Sequence, residues 1–356
     1  MRAVAVLAGV ILCGCAHLPK DALIIKEQGS FAAGGVVAQH SGSYDSSKFD
    51  NFKPYPEGQT FHGDHAHVFY QIPFNAHPLP LVFLHGAGQS SKTWESTPDG
   101  REGFQNIFLR RGFGVYLIDQ PRRGKAGRSA VAANIEPIAD EQMWYEIFRI
   151  GKYPDYFDGV QFARDEESLE QFFRQMTPNT GGFDDEVVSE SIAALFEKIG
   201  GGILVTHSQG GICGWSAAVK NQNIKAVAAY EPGNYLFPEG ELPEAMPSRT
   251  GTLTGRAVSK SDFLKLTKIP IVIYFGDNIK DEVTDELGAE NWRVRLALGR
   301  LFVEAINRHG GDATLVELPK IGVYGNTHFP MSDLNNIEIA DLLSKWLKDK
   351  GLEEKK

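Results

Sequence analysis

Short apolar runs rich in β-branched and aromatic residues alternate along this chain with segments of helical periodicity. A chain that alternates in this way connects neighbouring strands through helical crossovers, which are right-handed in parallel sheets. The alternation therefore predicts an α/β fold with a mostly parallel, doubly wound sheet. The predicted strands span residues 68–72, 81–84, 114–118, 203–205, 226–230, 271–275 and 314–318.

Helices are predicted where apolar residues recur at helical spacing. Phe104, Ile107 and Phe108 follow the i, i+3, i+4 pattern and are followed by Gly112, a typical helix stop. The same spacing predicts helices within 188–199, 294–305 and 339–346.

Two segments interrupt the alternation. Residues 131–185 have helical tendency and many aromatic side chains. Ligands bind at the carboxyl edge of open α/β sheets, so we predict that this insertion is a helical, aromatic-rich cap over the site. Most of its rings should pack within the insertion, and only a few should face a substrate. Residues 234–268 are rich in Pro, Gly, Glu and Ser, which predicts a flexible lip or a plain surface loop.

A serine lies where one predicted strand turns into a helix. In the run Thr206-His207-Ser208-Gln209-Gly210, Ser208 occupies the apex of a turn after a buried strand. The run approximates the nucleophile-elbow pattern G-x-S-x-G, although Thr206 replaces its first glycine. A catalytic role for Ser208 therefore depends on whether a base, an acid and oxyanion donors occur elsewhere.

A glycine-rich turn is the candidate for the oxyanion donors. His85-Gly86-Ala87-Gly88 follows the predicted strand 81–84. Glycines there let backbone amides point inward, and the amides of Ala87 and Gln209 would bind the negative oxygen of an acyl-transfer intermediate.

The candidate base is His328, in a loop between the last strand and the last helix. Its imidazole can take and return a proton near neutral pH. Two acids, Glu231 and Asp277, follow neighbouring strands and precede His328, as the order Ser, acid, His requires. On generic grounds Asp277 is the favoured acid, because the strand that follows it leads towards the histidine loop.

An ordered set of motifs resembles a branch of bacterial secreted esterases within the α/β-hydrolase superfamily. The resemblance covers residues 67–347 and includes Leu-His-Gly, 92–100, 117–120, Thr-His-Ser-Gln, Tyr-Glu-Pro-Gly and Gly-Asn-Thr-His. It implies an α/β-hydrolase fold, and it implies that Ser208, Glu231 and His328 form the triad. The chain departs from the better-known members at Ala87-Gly88, where they carry a cysteine pair.

The amino terminus predicts export. Arg2 and an apolar run up to Leu12 form a signal peptide over residues 1–15, too short to span a bilayer. Leu12-Cys13-Gly14-Cys15 resembles a lipobox, so we expect lipidation at Cys15 and a membrane-anchored lipoprotein, at the outer membrane or cell surface. Ordinary cleavage near Ala16 is the alternative and would leave a periplasmic or secreted protein. We expect residues 16–51 to be an extended tether and 52–350 to be the hydrolase domain.

Charge and histidine distribution bear on partners. A formal charge of -9, with only short basic clusters such as Arg110-Arg111 and Arg122-Arg123, argues against nucleic acid as a partner. His65 and His67 would share a face of an extended strand and look like metal ligands. No Cys or carboxylate cluster supports them, so we expect neither a metal nor another cofactor.

The sequence thus predicts a serine esterase that cleaves a small-molecule carboxylic ester through an acyl-enzyme. One alternative is an amidase or lactonase on the same fold. Another is a lipid-anchored surface protein that binds ligands without catalysis.

Overall fold

A sheet of eight strands forms the centre of the computed structural model, which describes residues 22–354. Its strands, numbered along the chain, lie in the spatial order β1-β2-β4-β3-β5-β6-β7-β8. β2 is antiparallel to both of its neighbours, and the other adjacent pairs are parallel. The strands are β1 Ile25–Ala33, β2 Ala66–Pro73, β3 Leu81–Leu84, β4 Val115–Asp119, β5 Gly202–His207, β6 Ile224–Tyr230, β7 Pro270–Phe275 and β8 Asp312–Glu317. The predicted mostly parallel sheet is confirmed.

β1 corrects the predicted tether. Ile25–Ala33 pairs along its length with β2, from Ile25 opposite Pro73 to Ala33 opposite Ala66. The expectation that 16–51 is a tether is therefore wrong for this strand. The sequence signal is weak because an edge strand has one neighbour, and β1 buries only part of one face. Residues 1–21, with the predicted signal peptide and Cys15, lie outside the described residues.

Helices cover both faces of the sheet. They are α1 Lys92–Glu95, α2 Phe104–Arg110, α3 Glu141–Ile147, α4 Glu166–Arg174, α5 Asp185–Ile199, α6 Gln209–Lys220, α7 Lys260–Leu266, α8 Leu287–Arg308 and α9 Asn336–Asp349. Buried side chains of α5 to α8 pack in one hydrophobic core, and those of α2 and α9 pack in the other. In the described part of the chain, no helix is both long enough and apolar enough to cross a bilayer.

Strands of the sheet centre have no polar face. In β5, Leu204 belongs to one core while Ile203 and Val205 belong to the other. Successive side chains of a strand point to opposite faces, and both faces are covered by helices. The sequences of these strands are therefore continuous apolar runs, and this pattern is what predicts their positions.

The insertion between β4 and α5 contains α3, α4 and a two-stranded ribbon, Gly151–Lys152 with Asp155–Tyr156. Its buried aromatic rings belong to the same core as α2 and α9, so they do not form a separate core of the insertion. The ring of Phe148, for example, meets that of Phe329, which lies outside the insertion, edge to face at 4.9 Å. The insertion is therefore continuous with the body of the protein next to the carboxyl ends of the strands.

Residues 234–268 are more ordered than the predicted lip or loop. They contain a parallel pair, Leu236–Pro238 with Arg256–Val258, an antiparallel pair, Met246–Ser248 with Gly251–Leu253, and α7. Phe237 is buried against Phe302 of α8, which anchors the segment to the core. Because the segment is rich in Pro and Gly, its sequence does not indicate that single residues such as Phe237 are buried.

Candidate active site

Ser208 lies between β5 and α6 in a strained backbone conformation, with φ 54° and ψ -122°. Its amide donates to the carbonyl of Tyr230 at 2.9 Å, and its carbonyl accepts from the amides of Gly211 and Gly233, each at 2.9 Å. Non-glycine residues with positive φ persist only where surrounding structure holds them. The turn thus presents the Ser208 side chain at the carboxyl edge of the sheet, as predicted.

Thr206, which replaces the usual elbow glycine, is accommodated by a glycine on the following helix. A Cβ added to Gly214 would lie 2.8 Å from the Thr206 methyl carbon. Thr206 itself is fully buried. In the usual elbow, the glycine on the strand leaves room for the helix that follows. In this chain Gly214 of α6 leaves that room, and the strand carries the larger Thr206.

The predicted oxyanion residues Ala87 and Gln209 line the same cavity as Ser208. The turn that carries Ala87 passes close to the serine, because a Cβ on Gly86 would lie 2.8 Å from the Ser208 Cβ. Arg123 Nη1 donates to the Gly86 carbonyl at 2.7 Å. This bond fixes the carbonyl side of the turn.

Residues 119–124 also support this turn. Gln120 Nε2 donates to the carbonyl of His85 at 2.6 Å, and the Gln120 amide donates to His85 Nε2 at 3.2 Å. Burial, together with the charge of Arg123, lowers the pKa of His85 to about 3, so the ring is neutral. Arg122 forms a buried ion pair with Asp64. Sequence reasoning missed the role of Arg123.

His328 is completely buried, and its Nδ1 lies 2.5 Å from Glu231 Oε2. A neutral ring that donates Nδ1–H to the carboxylate leaves Nε2 as the acceptor. Nε2 has no hydrogen-bond partner among residues 22–354, and His328 lines the cavity that also contains Ser208. Burial lowers the pKa of His328 well below its usual value, and the positive charges of Arg149 and Arg295 lower it further.

Of the two candidate acids, the structure brings Glu231 to the histidine. The other carboxylate oxygen of Glu231, Oε1, accepts from the Gly276 amide at 2.7 Å and pairs with Arg149 Nη2. Asp277, favoured on generic grounds, instead accepts from the Gly325 amide at 2.7 Å. Its carboxylate therefore holds the start of the histidine loop and does not contact the ring.

Further groups fix the histidine loop. His207 Nε2 donates to the carbonyl of His328 at 2.8 Å. Asp333 accepts from the Thr327 amide and from its hydroxyl, each at 2.7 Å, and from Asn326 Nδ2 at 3.0 Å. Burial raises the pKa of Asp333 to about 7. Sequence reasoning missed Asp333. The only feature of the sequence that points to it is its position shortly after the histidine.

Aromatic rings enclose the imidazole. Phe148 of the insertion stacks on His328 with ring centroids 5.2 Å apart, and Trp292 of α8 lies 4.0 Å away. The insertion also accepts hydrogen bonds through its backbone, from the His328 amide to Phe148 and from Trp292 Nε1 to Ile147. The segment predicted to be a cap thus contacts the histidine directly.

The space above Ser208 has two parts. A cavity of about 290 Å³ is lined by Ser208 and His328, and a second of about 780 Å³ is lined in part by residues between 134 and 140. Both are lined by Ala87, Trp144 and Gln209, so they adjoin at the serine. This arrangement leaves room for groups on either side of a reacting carbonyl.

His67, considered as a metal ligand, and the thiol of Cys213 do not line the cavity of Ser208. His67 is in β2 opposite Asp119, and no cluster of side chains suited to a metal ion occurs within residues 22–354. Cys213 of α6 is a free buried thiol whose pKa is raised well above its usual value by burial.

The sheet order, the elbow and the placement of the histidine define a hydrolase of the α/β class. A model of the Alpha/beta hydrolase family matches residues 81–333, and the chain belongs to that family. A solved structure described as "The Atomic Resolution Structure of a Novel Bacterial Esterase" is 30% identical, with a TM-score of 0.72; the match covers 94% of this chain and 98% of that one. The predicted resemblance to bacterial esterases is thus confirmed. A protein of Fungal sp. (strain ATCC 74256), "Probable secreted lipase phiG", is 26% identical over 352 residues, covering 85% of this chain and 88% of its own.

Proposed function

We propose that this protein is a serine esterase in which Ser208 is the nucleophile, His328 the general base and Glu231 the orienting acid. The observation that carries the proposal is the buried Glu231–His328 pair, which leaves Nε2 of the histidine unpartnered in the cavity of Ser208. A carboxylate that accepts Nδ1–H holds the ring in the tautomer that can deprotonate a serine.

The reaction follows from these positions. His328 Nε2 takes the hydroxyl proton as Ser208 Oγ attacks the ester carbonyl. The amides of Ala87 and Gln209 bind the oxyanion, and one such donor contributes roughly 3 kcal/mol to transition-state stabilisation. The imidazolium, stabilised by Glu231, then protonates the leaving alcohol. Water hydrolyses the acyl-enzyme by the same steps in reverse.

The printed names of the two relatives support ester hydrolysis, since one is called an esterase and the other a lipase. The alternative function on the same fold is the hydrolysis of an amide or a lactone. The word "secreted" in the name of the fungal relative agrees with export of this chain. We further propose that Cys15 carries the lipid anchor and that a small-molecule ester, with no nucleic acid, is the partner.

Replacement of the nucleophile tests the proposal. Ser208→Ala should lower kcat on p-nitrophenyl butyrate by about a millionfold, because triad members act as a unit. A fluorophosphonate probe should label the wild type but not this variant. Ser261→Ala, on the exposed side of α7, is the matched control and should keep both properties. Undiminished turnover by Ser208→Ala would refute the assignment, and a preference for the matching amide would favour the amidase alternative.

A further inference from the structure

Arg295 of α8 lines the 290 Å³ cavity together with Ser208 and His328. Its Nη1 donates to the carbonyl and to Oδ1 of Asn291, at 2.6 and 2.8 Å. Its guanidinium lies 5.3 Å from the ring centroid of Trp292. The side chain is therefore held in one orientation before any ligand arrives.

The charge of Arg295 has no acidic partner among residues 22–354. Arg293 and Arg300 of the same helix each pair with carboxylates, whereas Arg295 is in none of the ion pairs of that part of the chain. Its Nε and Nη2 donate no hydrogen bond there, and neither atom is fully enclosed. A cation that is largely removed from water and lacks a counter-ion is costly, so a ligand that supplies the anion would bind favourably.

We propose that Arg295 binds a carboxylate of the substrate, so that the ester cleaved at Ser208 carries a negative charge close to the scissile bond. Nε and Nη2 lie on one edge of the guanidinium, and this edge matches the two oxygens of one carboxylate. The proposal rests on the proposed function, because it takes Ser208 as the reacting group.

The rest of the cavity favours a short substrate. Trp144, Phe148, Ile212 and Phe329 line the same cavity as the serine and the arginine and give it apolar walls. A chain of a few methylene groups would contact these walls while its terminal carboxylate pairs with Arg295. The substrate class is thus a half-ester of a short dicarboxylic acid or an acyl ester of a short hydroxy acid.

Two pairs of substrates test this class by charge alone. Monoethyl glutarate is compared with ethyl glutaramate, and acetyl glycolate with acetyl glycolamide, with kcat/KM measured by pH-stat titration. In at least one pair, Arg295→Gln should lower the ratio of kcat/KM for the charged over the neutral ester by about ten- to a hundredfold, the range for a hydrogen bond to a charged group. Arg308→Gln, which removes the same charge at the exposed end of α8, should leave the ratio unchanged.

A binding measurement separates this proposal from the proposed function. Calorimetry on Ser208→Ala, which does not hydrolyse the esters, should show that monoethyl glutarate binds more tightly than ethyl glutaramate or that acetyl glycolate binds more tightly than acetyl glycolamide, and that Arg295→Gln in that background removes the difference. If the wild type cleaves none of the esters but this preference is present, the esterase proposal fails and the carboxylate site stands. An equal ratio in the wild type and Arg295→Gln, with no binding preference, would overturn the carboxylate site.

Discussion

Arg149 and Glu231 form an ion pair in which both side chains are completely buried. Glu231 also accepts from His328 through its second oxygen, while Arg149 Nε donates to the carbonyl of Asp277 at 2.7 Å. Arg149 belongs to the inserted segment. The candidate acid is therefore held from both sides, by the histidine loop and by the cap.

Arg149→Met is expected to destabilise the fold by about 3–5 kcal/mol, because it leaves the Glu231 carboxylate buried without its counter-ion. It should also raise the pKa of His328, since a positive charge near the imidazole is removed. The acidic limb of the pH–kcat/KM profile should then move to higher pH. Urea unfolding and the pH profile measure the two effects.

The control for this change is Arg174→Met, in α4 of the same insertion. Arg174 is 66% exposed and pairs with Glu170 at the surface. Exposed pairs contribute about 0–1 kcal/mol, so this variant should change little. If the two variants unfold at the same urea concentration and share one pH profile, Arg149 has no positioning role.

A direct comparison of Glu231→Gln with Asp277→Asn tests the choice of acid. Glu231→Gln removes the charge that stabilises the imidazolium, and kcat on p-nitrophenyl butyrate should fall about a thousandfold or more. Asp277→Asn keeps an oxygen that can accept from the Gly325 amide, so kcat should fall less than about tenfold. Collapse of kcat in the asparagine variant alone would identify Asp277 as the acid.

The pH dependence follows from the lowered pKa of His328. The base acts when neutral, so kcat/KM should stay high at pH values below 6.5, the ordinary histidine value, and fall only when the buried ring takes a proton. The charged or titratable groups around the ring are Arg149, Arg295, Glu231 and His207. Arg295→Gln should raise this pKa and move the acidic limb upward.

The same shift affects stability. A histidine whose pKa is lowered by folding binds a proton more readily in the unfolded chain, so stability is full above the unfolded pKa and falls as the pH drops below about 6.5. His85 and His207, whose pKa values are also lowered by burial, add to the loss, and these three groups outnumber Asp333, whose raised pKa acts in the opposite direction. The urea midpoint should therefore decrease from neutral to acidic pH. An unchanged midpoint would contradict the lowered values.

Lipid attachment is tested at Cys15. If this cysteine is acylated, the protein should partition with membranes, because each buried methylene contributes about 0.8 kcal/mol. Cys15→Ser should release it to the soluble fraction after export, whereas Cys13→Ser should not. Mass spectrometry of the mature amino terminus identifies the acyl groups, and a soluble wild type that begins near residue 16 would favour ordinary cleavage.

The sequence by itself determined where the central strands lie and in what order the candidate catalytic residues follow one another along the chain. Central strands such as 203–205 are apolar on both faces, and their signal is local. The turn at Ser208, the glycine-rich run at Ala87 and the late loop of His328 are also local patterns, each next to a strand end. Their chain order alone predicted that they would meet at one edge of the sheet.

Only the tertiary structure decided which acid reaches the histidine and what surrounds it. Glu231 and Asp277 end neighbouring strands, so chain order left both acceptable, and the hydrogen bond from the Gly276 amide orients Glu231 towards the imidazole. Arg149 and Arg295 lie far along the chain from Ser208, within segments that the sequence predicts to be a cap and a helix. Their roles depend on contacts between distant segments, and such contacts leave no periodic or local signal in a single sequence.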